Sequence, residues 1–385
     1  MRLRIAGRSD RTAGGVGLRN RTPMPRPAPR PAAVLLALLG AGCAAPGGEA
    51  GRYLAFQRED GGYVVAPRPR GTLGDLVTIT GDEGGIRTGG IIVYQDDGTM
   101  DWEGGRALDV GYGVQDGVAV PLDEDGLVLW SFYGHLEDVA AQMPALGLPA
   151  DDYFPLDAAW TPILPDLLLE LLPKENAAYA TGGHFFILLD DLVAKDVPLA
   201  ANAGVIRHEL GHAVFHVLTT GAVNRTPPFS VADTSVDSLY YSCLHEGFAD
   251  IFASLSLDDP DWFEDSLPMT GRDLTGDWTV EDAEMPEHFH RTSGDDPLAI
   301  YDPYPLGTVF ASTAWDLGEA LGDPLAAWDV VLEGTRYWVE VDEPGDAWGL
   351  LEAWVEAADP GVATDTLCAS IDARFGDLAE VEACP

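Results

Sequence analysis

Basic residues are scarce in this chain. Twenty-two Lys and Arg stand against 63 Asp and Glu, so the formal net charge is −41. A surface this acidic repels phosphate backbones and excludes nucleic-acid binding, which needs a basic face. It is compatible with cationic substrates or calcium. Long apolar runs are missing as well: the longest candidate, Ala32–Ala41, has ten residues, whereas a membrane-spanning helix needs about 20. There is no internal repeat, which excludes a solenoid or propeller. Cysteine and histidine are sparse, with four and eight residues. The chain is nevertheless long and apolar enough (385 residues, 46% hydrophobic) for one large or two medium globular domains.

The few basic residues are unevenly placed. Residues 1–42 hold eight Arg and one acid, Asp10, which leaves 14 basic against 62 acidic residues, or −48, for the remainder. A basic start followed by "AAVLLALLGAGCAAPGGEA" reads as an export signal over residues 1–42, complete from Met24 onward, with Arg26 and Arg30 ahead of the apolar core. Its end, "LGAGC", resembles a bacterial lipoprotein box, although Gly40 stands where a larger apolar residue is usual. Cys43 would then be the lipidated mature N-terminus, tethering an extracytoplasmic protein to a membrane surface without a spanning helix. A plain secretory signal is the other reading. In an oxidising compartment Cys368 and Cys384 could pair across a short C-terminal loop, leaving Cys243 as a free thiol; sequence does not settle the pairing.

Beyond a flexible tether, short apolar runs alternate with Gly/Asp turns from Tyr53 to about Leu129, as in "LVTITGDEGG" and "DGVAVPLDEDGLVLW". This predicts a β-rich segment over residues 43–130. From Trp130 the character changes. "FYGHLEDVAAQMPALG" has helical spacing and ends at Gly147, "NAAYATGGHFFILLDD" reads as one or two strands, and the chain from Val205 on is mainly helical. The expected class is α+β, with a boundary near residue 130 and a second unit over 131–385.

Three of the eight histidines fall within nine residues, in "VIRHELGHAVFHVL". His208 and His212 stand four apart, so a helix projects both from one face, one turn apart, where they can share one zinc ion. Glu209 lies beside them and can reach a metal-bound water. The apolar neighbours bury this helix, and buried polar groups need partners, which a metal supplies. His216 continues the same face and is assigned a role in supporting the ligands or in packing. Zinc needs a third protein ligand. "CLHEGFADIFASL" predicts a second buried helix carrying Glu246 and Asp250 on one face. Glu246 bound to zinc and Asp250 hydrogen-bonded to a ligand histidine would relieve the cost of burying two carboxylates.

H-E-x-x-H followed by E-G-x-x-D resembles the gluzincin metallopeptidases of the thermolysin-like and fungalysin-like kinds, and the resemblance extends over roughly residues 131–340. It implies a two-lobed zincin catalytic domain with a mainly helical C-terminal lobe. It assigns His208, His212 and Glu246 as Zn2+ ligands, Glu209 as general base, and Asp250 as the residue that orients His208. "NAAY" resembles the edge strand that pairs with substrate backbone, which nominates Asn176, Ala177 and Tyr179. "GDWTVEDAE…FHRTSGDDP" resembles a segment that supplies the substrate-carbonyl contact, here Arg291. "DPYPLGTVFASTAWDLGEALG" resembles the helix behind the site. The family uses a histidine to stabilise the oxyanion, and the matching position here is Tyr304, whose hydroxyl can also donate a hydrogen bond. The family's calcium carboxylates fall on Gly204 and Leu257. "DLTGDWTVEDAE" nonetheless has EF-hand-like oxygen spacing, with Trp278 in place of the required Gly, so Ca2+ near Asp277–Asp282 is a further expectation. The function these features imply is a secreted or lipid-anchored monomeric zinc endopeptidase acting on peptide or protein substrates. The alternatives are a zincin-fold surface lipoprotein with a structural or binding role, and a β-rich segment that serves as an inhibitory propeptide.

Overall fold

A computed structural model describes residues 45–46, 50–59, 61–95, 99–165, 177–189, 197–229, 233–266, 272–294, 299–379 and 381–384. The export signal, Cys43 and Asn176 lie outside them. The chain to Pro121 is built of short strands: β1 (Ala45–Pro46), β2 (Arg52–Glu59), β3 (Gly62–Pro69), β4 (Leu73–Asp75), β5 (Thr80–Gly81), β6 (Gly84–Thr88), β7 (Ile91–Tyr94), β8 (Met100–Glu103), β9 (Arg106–Ala107), β10 (Tyr112–Gln115) and β11 (Val118–Pro121). One sheet has the order β1-β10-β11-β2-β3. β2 and β3 form a hairpin in continuous register from Arg52↔Pro69 to Glu59↔Gly62, turned at Gly61 with φ 76°. Tyr53 to Phe56 are buried on both faces of β2, because one face packs on the first helix, α1 (Glu124–Gln142). The Phe56 N–H donates to Ser131 Oγ at 2.8 Å, and Tyr53 meets Trp130 edge to face.

α1 corrects two sequence expectations. The apolar run Leu127–Leu129 was expected as strand, yet it is the second turn of this helix. Asp123 accepts from the Gly126 N–H as N-cap, and Glu124 and Asp125 in the first turn match the positive end of the helix dipole. The boundary near residue 130 also falls inside the uninterrupted helix. A second sheet, of order β13-β14-β12-β6-β5-β4 with β9 on β6, adds β12 (Asp157–Trp160), β13 (Ala177–Ala180) and β14 (Phe185–Leu188). In it β6 pairs in parallel with β12, Ala158 facing Ile86, so strands from before and after residue 130 share one hydrogen-bonded sheet. The β-rich segment is therefore joined to the rest of the fold through a shared sheet. Along β14 the side chains alternate: Phe186 and Leu188 enter the main core, and Phe185 and Ile187 a smaller one with Ile92 and Leu189.

The rest is helical: α2 (Ala203–Thr220), α3 (Val236–Leu257), α4 (Pro286–Ser293), α5 (Tyr304–Leu321), α6 (Pro324–Val341), α7 (Ala347–Ala357) and α8 (Val362–Phe375). The protein is thus mixed α+β, β-rich at the start and helical towards the C-terminus. Cys368 and Cys384 form a disulfide, and Cys243 is free and buried. No helix among the described residues is long and apolar enough to cross a membrane.

Candidate metal centre

Two buried helices build the site. Every residue of α2 from Ala203 to His216 is buried. Its first turn is held by Asn202, whose Oδ1 accepts from the Gly204 N–H at 2.7 Å while Nδ2 donates to Ser266 Oγ at 2.8 Å. α3 crosses α2 at very short range: a Cβ on Gly211 would lie 2.7 Å from the Ala249 Cα. α5 approaches the other side of α3 in the same way, since a Cβ on Gly247 would lie 2.7 Å from the Gly307 carbonyl oxygen. The glycines inside "HELGH" and "HEGF" thus let three backbones meet, and that contact sets the spacing of the side chains between them.

The crossing gathers the predicted ligands. His212 Nε2 lies 3.1 Å from His208 Nε2, and Glu246 Oε2 lies 3.3 Å from His208 Nε2 and 3.6 Å from His212 Nε2. Ligand atoms about 2.05 Å from a tetrahedral zinc are about 3.3 Å apart, so the triangle has the right size. Glu246 Oε2 is buried with no aligned hydrogen-bond donor, an orphan that a cation would satisfy. Among the described residues, His208, His212 and Glu246 form the one group of three metal-donor side chains. His208 Nδ1 lies 2.9 Å from Asp250 Oδ1. Arg272 NH2 also lies 3.3 Å from that Nδ1; a proton on Nδ1 shared with Asp250 would leave the Nε2 lone pair free for a metal. Asp250 is 1% exposed and is held in turn by the buried Arg272 guanidinium, with Nε 3.3 Å from Oδ2 and NH2 bonded to Oδ1.

Glu209, 7% exposed, accepts the Tyr179 N–H at 2.7 Å. The outer edge of β13 therefore faces the site, while its inner edge pairs with β14 in the register Tyr179↔Phe186. The Tyr179 side chain is buried, its hydroxyl 3.0 Å from His184 Nδ1; His184 Nε2 donates to the Tyr153 carbonyl at 2.7 Å.

No family model matches the chain, and no curated protein matches it in sequence.

The remaining assignments divide. Tyr304 opens α5 and is 38% exposed, with the Arg272 guanidinium 4.7 Å from its ring centre. Arg291 does not join the site: it is exposed on α4, and its Nε donates to the Glu287 carbonyl of its own helix at 3.1 Å. Arg272 is the arginine at the cluster. Sequence reasoning missed it because 22 residues separate it from Asp250 and no motif marks it. His216 is fully buried, its ring nitrogens without an aligned partner, and stays outside the cluster. The Cys243 thiol donates to the Tyr301 hydroxyl at 3.5 Å and is not a ligand; burial pushes it up to about 12. Two acids of the segment expected to hold calcium support its turns. Asp273 Oδ1 accepts from the Thr275 N–H and hydroxyl, and Asp282 closes a capping box with Thr279. At the end of α3, Arg58 donates to the Leu257 carbonyl at 3.2 Å and pairs with Asp259, so a guanidinium occupies this end of the helix.

Burial is the largest influence on the histidines and carboxylates of the centre. It lifts Glu209 to about 7 and drops His212 to about 4. In His208 burial lowers the pKa, but the neighbouring Asp250 and Glu246 carboxylates prevail and lift it to about 9. Glu246 and Asp250 resist their own burial and stay below the usual carboxylate range, Glu246 through His212 and His208, Asp250 through Arg272 and His208. The negative charge of Glu246, then burial, raises the Tyr304 phenol, which keeps it a hydrogen-bond donor at neutral pH.

Proposed function

We propose that the protein is a zinc-dependent endopeptidase with a two-lobed, thermolysin-like catalytic domain, exported and anchored to a membrane surface by lipid at Cys43. The observation that carries this reading is the triangle of His208 Nε2, His212 Nε2 and Glu246 Oε2 beside the buried Glu209. A zinc ion bound there supplies Lewis acidity, which activates water and polarises a carbonyl. Glu209, with its pKa near 7, takes a proton from an attacking water at neutral pH and returns it to a leaving amine. The Tyr179 N–H holds that carboxylate in place. By strand alternation the Ala177 and Tyr179 carbonyls lie on the same outer edge of β13, where an extended peptide could add as a further strand. Tyr304 donates its hydroxyl to the developing oxyanion. Arg272 takes the substrate-facing role first assigned to Arg291, on the grounds that it adjoins Tyr304 and Asp250.

Tyr304, standing where the family has a histidine, favours a second reading: a metal-binding surface lipoprotein without peptidase activity. Metal analysis of the purified protein, with peptide-library digestion of the wild type and Glu209→Gln, separates the two. The peptidase reading expects about one zinc per chain in both, and cleavage only in the wild type, abolished by chelator. Zinc binding with no cleavage by the wild type supports the second reading, and equal cleavage by both proteins refutes the mechanism.

A further inference from the structure

The two histidines of the triangle are held by different devices. His208 Nδ1 lies 2.9 Å from the Asp250 carboxylate, and the ring also stacks on Trp262, with ring centres 5.3 Å apart at 25°. His212 Nδ1 has no such partner. Its Nδ1 is buried without a hydrogen-bond partner, although coordination through Nε2 puts the ring proton on that atom. The torsion that turns an imidazole about its Cβ–Cγ bond is broad, so a histidine ligand without an in-plane partner needs some other restraint. One ring lies flat against it: His245, with ring centres 4.5 Å apart and planes 15° from parallel. His208 closes the arrangement edge-on at 4.6 Å and 80°. His245 is wedged in its turn, edge-on to Phe215 at 5.4 Å and tilted against Tyr241 at 5.7 Å. It also immediately precedes Glu246, so one turn of α3 carries both a ligand and the ring that faces another ligand.

We propose that His245 is the positioning residue for His212, a stacked ring that holds the imidazole in the plane presenting Nε2 to the metal, in place of the hydrogen bond His212 lacks. This inference rests on the metal reading above. It is specific about mechanism: the ring face acts, and the polar atoms of His245 do not.

The test measures Zn2+ affinity of the full chain by chelator competition for the wild type, His212→Ala, His245→Ala, His245→Phe and His245→Asn, with thermal unfolding in chelator as the control for folding. Losing the group that orients a metal-bound histidine typically weakens metal binding about 10- to 100-fold. That loss is expected for His245→Ala, with recovery in His245→Phe, which restores a ring, and none in His245→Asn, which restores only a hydrogen-bonding group. In the Co2+-substituted protein the visible absorption should change for Ala and Asn and return for Phe. Zinc bound by His245→Ala within twofold of the wild type overturns the proposal, and so does rescue by Asn but not Phe. Should His245→Ala not fold, the contrast between Phe and Asn decides alone. A wild type that binds zinc no better than His212→Ala refutes the metal reading itself, and this inference with it.

Discussion

Replacing Arg272 by Met should show whether a buried charge pair underpins the metal centre. Arg272 and Asp250 are 7% and 1% exposed, joined through Nε to Oδ2 at 3.3 Å and through NH2 to Oδ1. Removing one partner of such a pair leaves a buried charge uncompensated, at a typical cost of 3–5 kcal/mol, about 3 kcal/mol here because His208 still donates to Asp250 at 2.9 Å. A protein of this size would lose about 4 °C in Tm. Adding Asp250→Asn removes the stranded charge while its amide oxygen still accepts from His208. The double variant should therefore be more stable than the sum of the single effects predicts, by about 2 kcal/mol of coupling. The assay is urea unfolding of the four proteins in the double-mutant cycle, with chelator present so that bound metal does not mask the difference. A loss below about 1 kcal/mol for Arg272→Met, or strict additivity in the double variant, would refute the reasoning, since a compensated buried pair produces neither. Arg272→Lys, which keeps the charge but not the paired geometry, should fall between the wild type and Arg272→Met.

Two further outcomes follow from the packing and the electrostatics. Gly211→Ala places a methyl 2.7 Å from the Ala249 Cα, so α2 and α3 must separate; overpacking of this kind costs about 1–3 kcal/mol, and zinc affinity should fall with it, read by unfolding and chelator competition. Asp261 is raised to about 7 by burial and then by its hydrogen bond to Glu264, well above its unfolded value near 4. A group shifted upward stabilises fully below its unfolded pKa, and that contribution is lost as pH rises through about 7. Asp261→Asn should therefore flatten the fall in Tm between pH 5 and pH 8, and an unchanged pH slope would count against the shift.

The metal triangle was legible because its grammar is local. His208 and His212, and separately Glu246 and Asp250, are four apart on helices with unbroken apolar flanks, so each pair had to share a face. The strands around Tyr179 and Phe186 were legible as short continuous apolar runs set off by the turn "TGG". What escaped depends on contacts between distant segments. Arg272 reaches Asp250 only when the chain folds back after α3. The stacking of His245 on His212 depends on the angle between two helices. The motif glycines read as neutral letters until the crossing showed what a Cβ would strike. Arg291 was misassigned because a segment resemblance fixed its position along the chain and not in space. The start of α1 was misread because Leu127–Leu129 is an apolar run with no periodicity of its own, and only the Asp123 cap marks it as helix.

The glycine-mediated crossing has a consequence for ion choice. Where side chains set the distance between two helices, a site can breathe, and ions of different radius are accommodated by rotamer changes. Here α2 and α3 touch backbone to backbone at Gly211 and Ala249, and α3 and α5 touch at Gly247 and Gly307, so neither flank of α3 can move inward. The donor atoms sit on a frame of nearly fixed width, 3.1 to 3.6 Å. Were an ion bound, donors at this separation would suit one that bonds nitrogen near 2.1 Å better than calcium, whose bonds of about 2.3–2.6 Å call for a wider triangle.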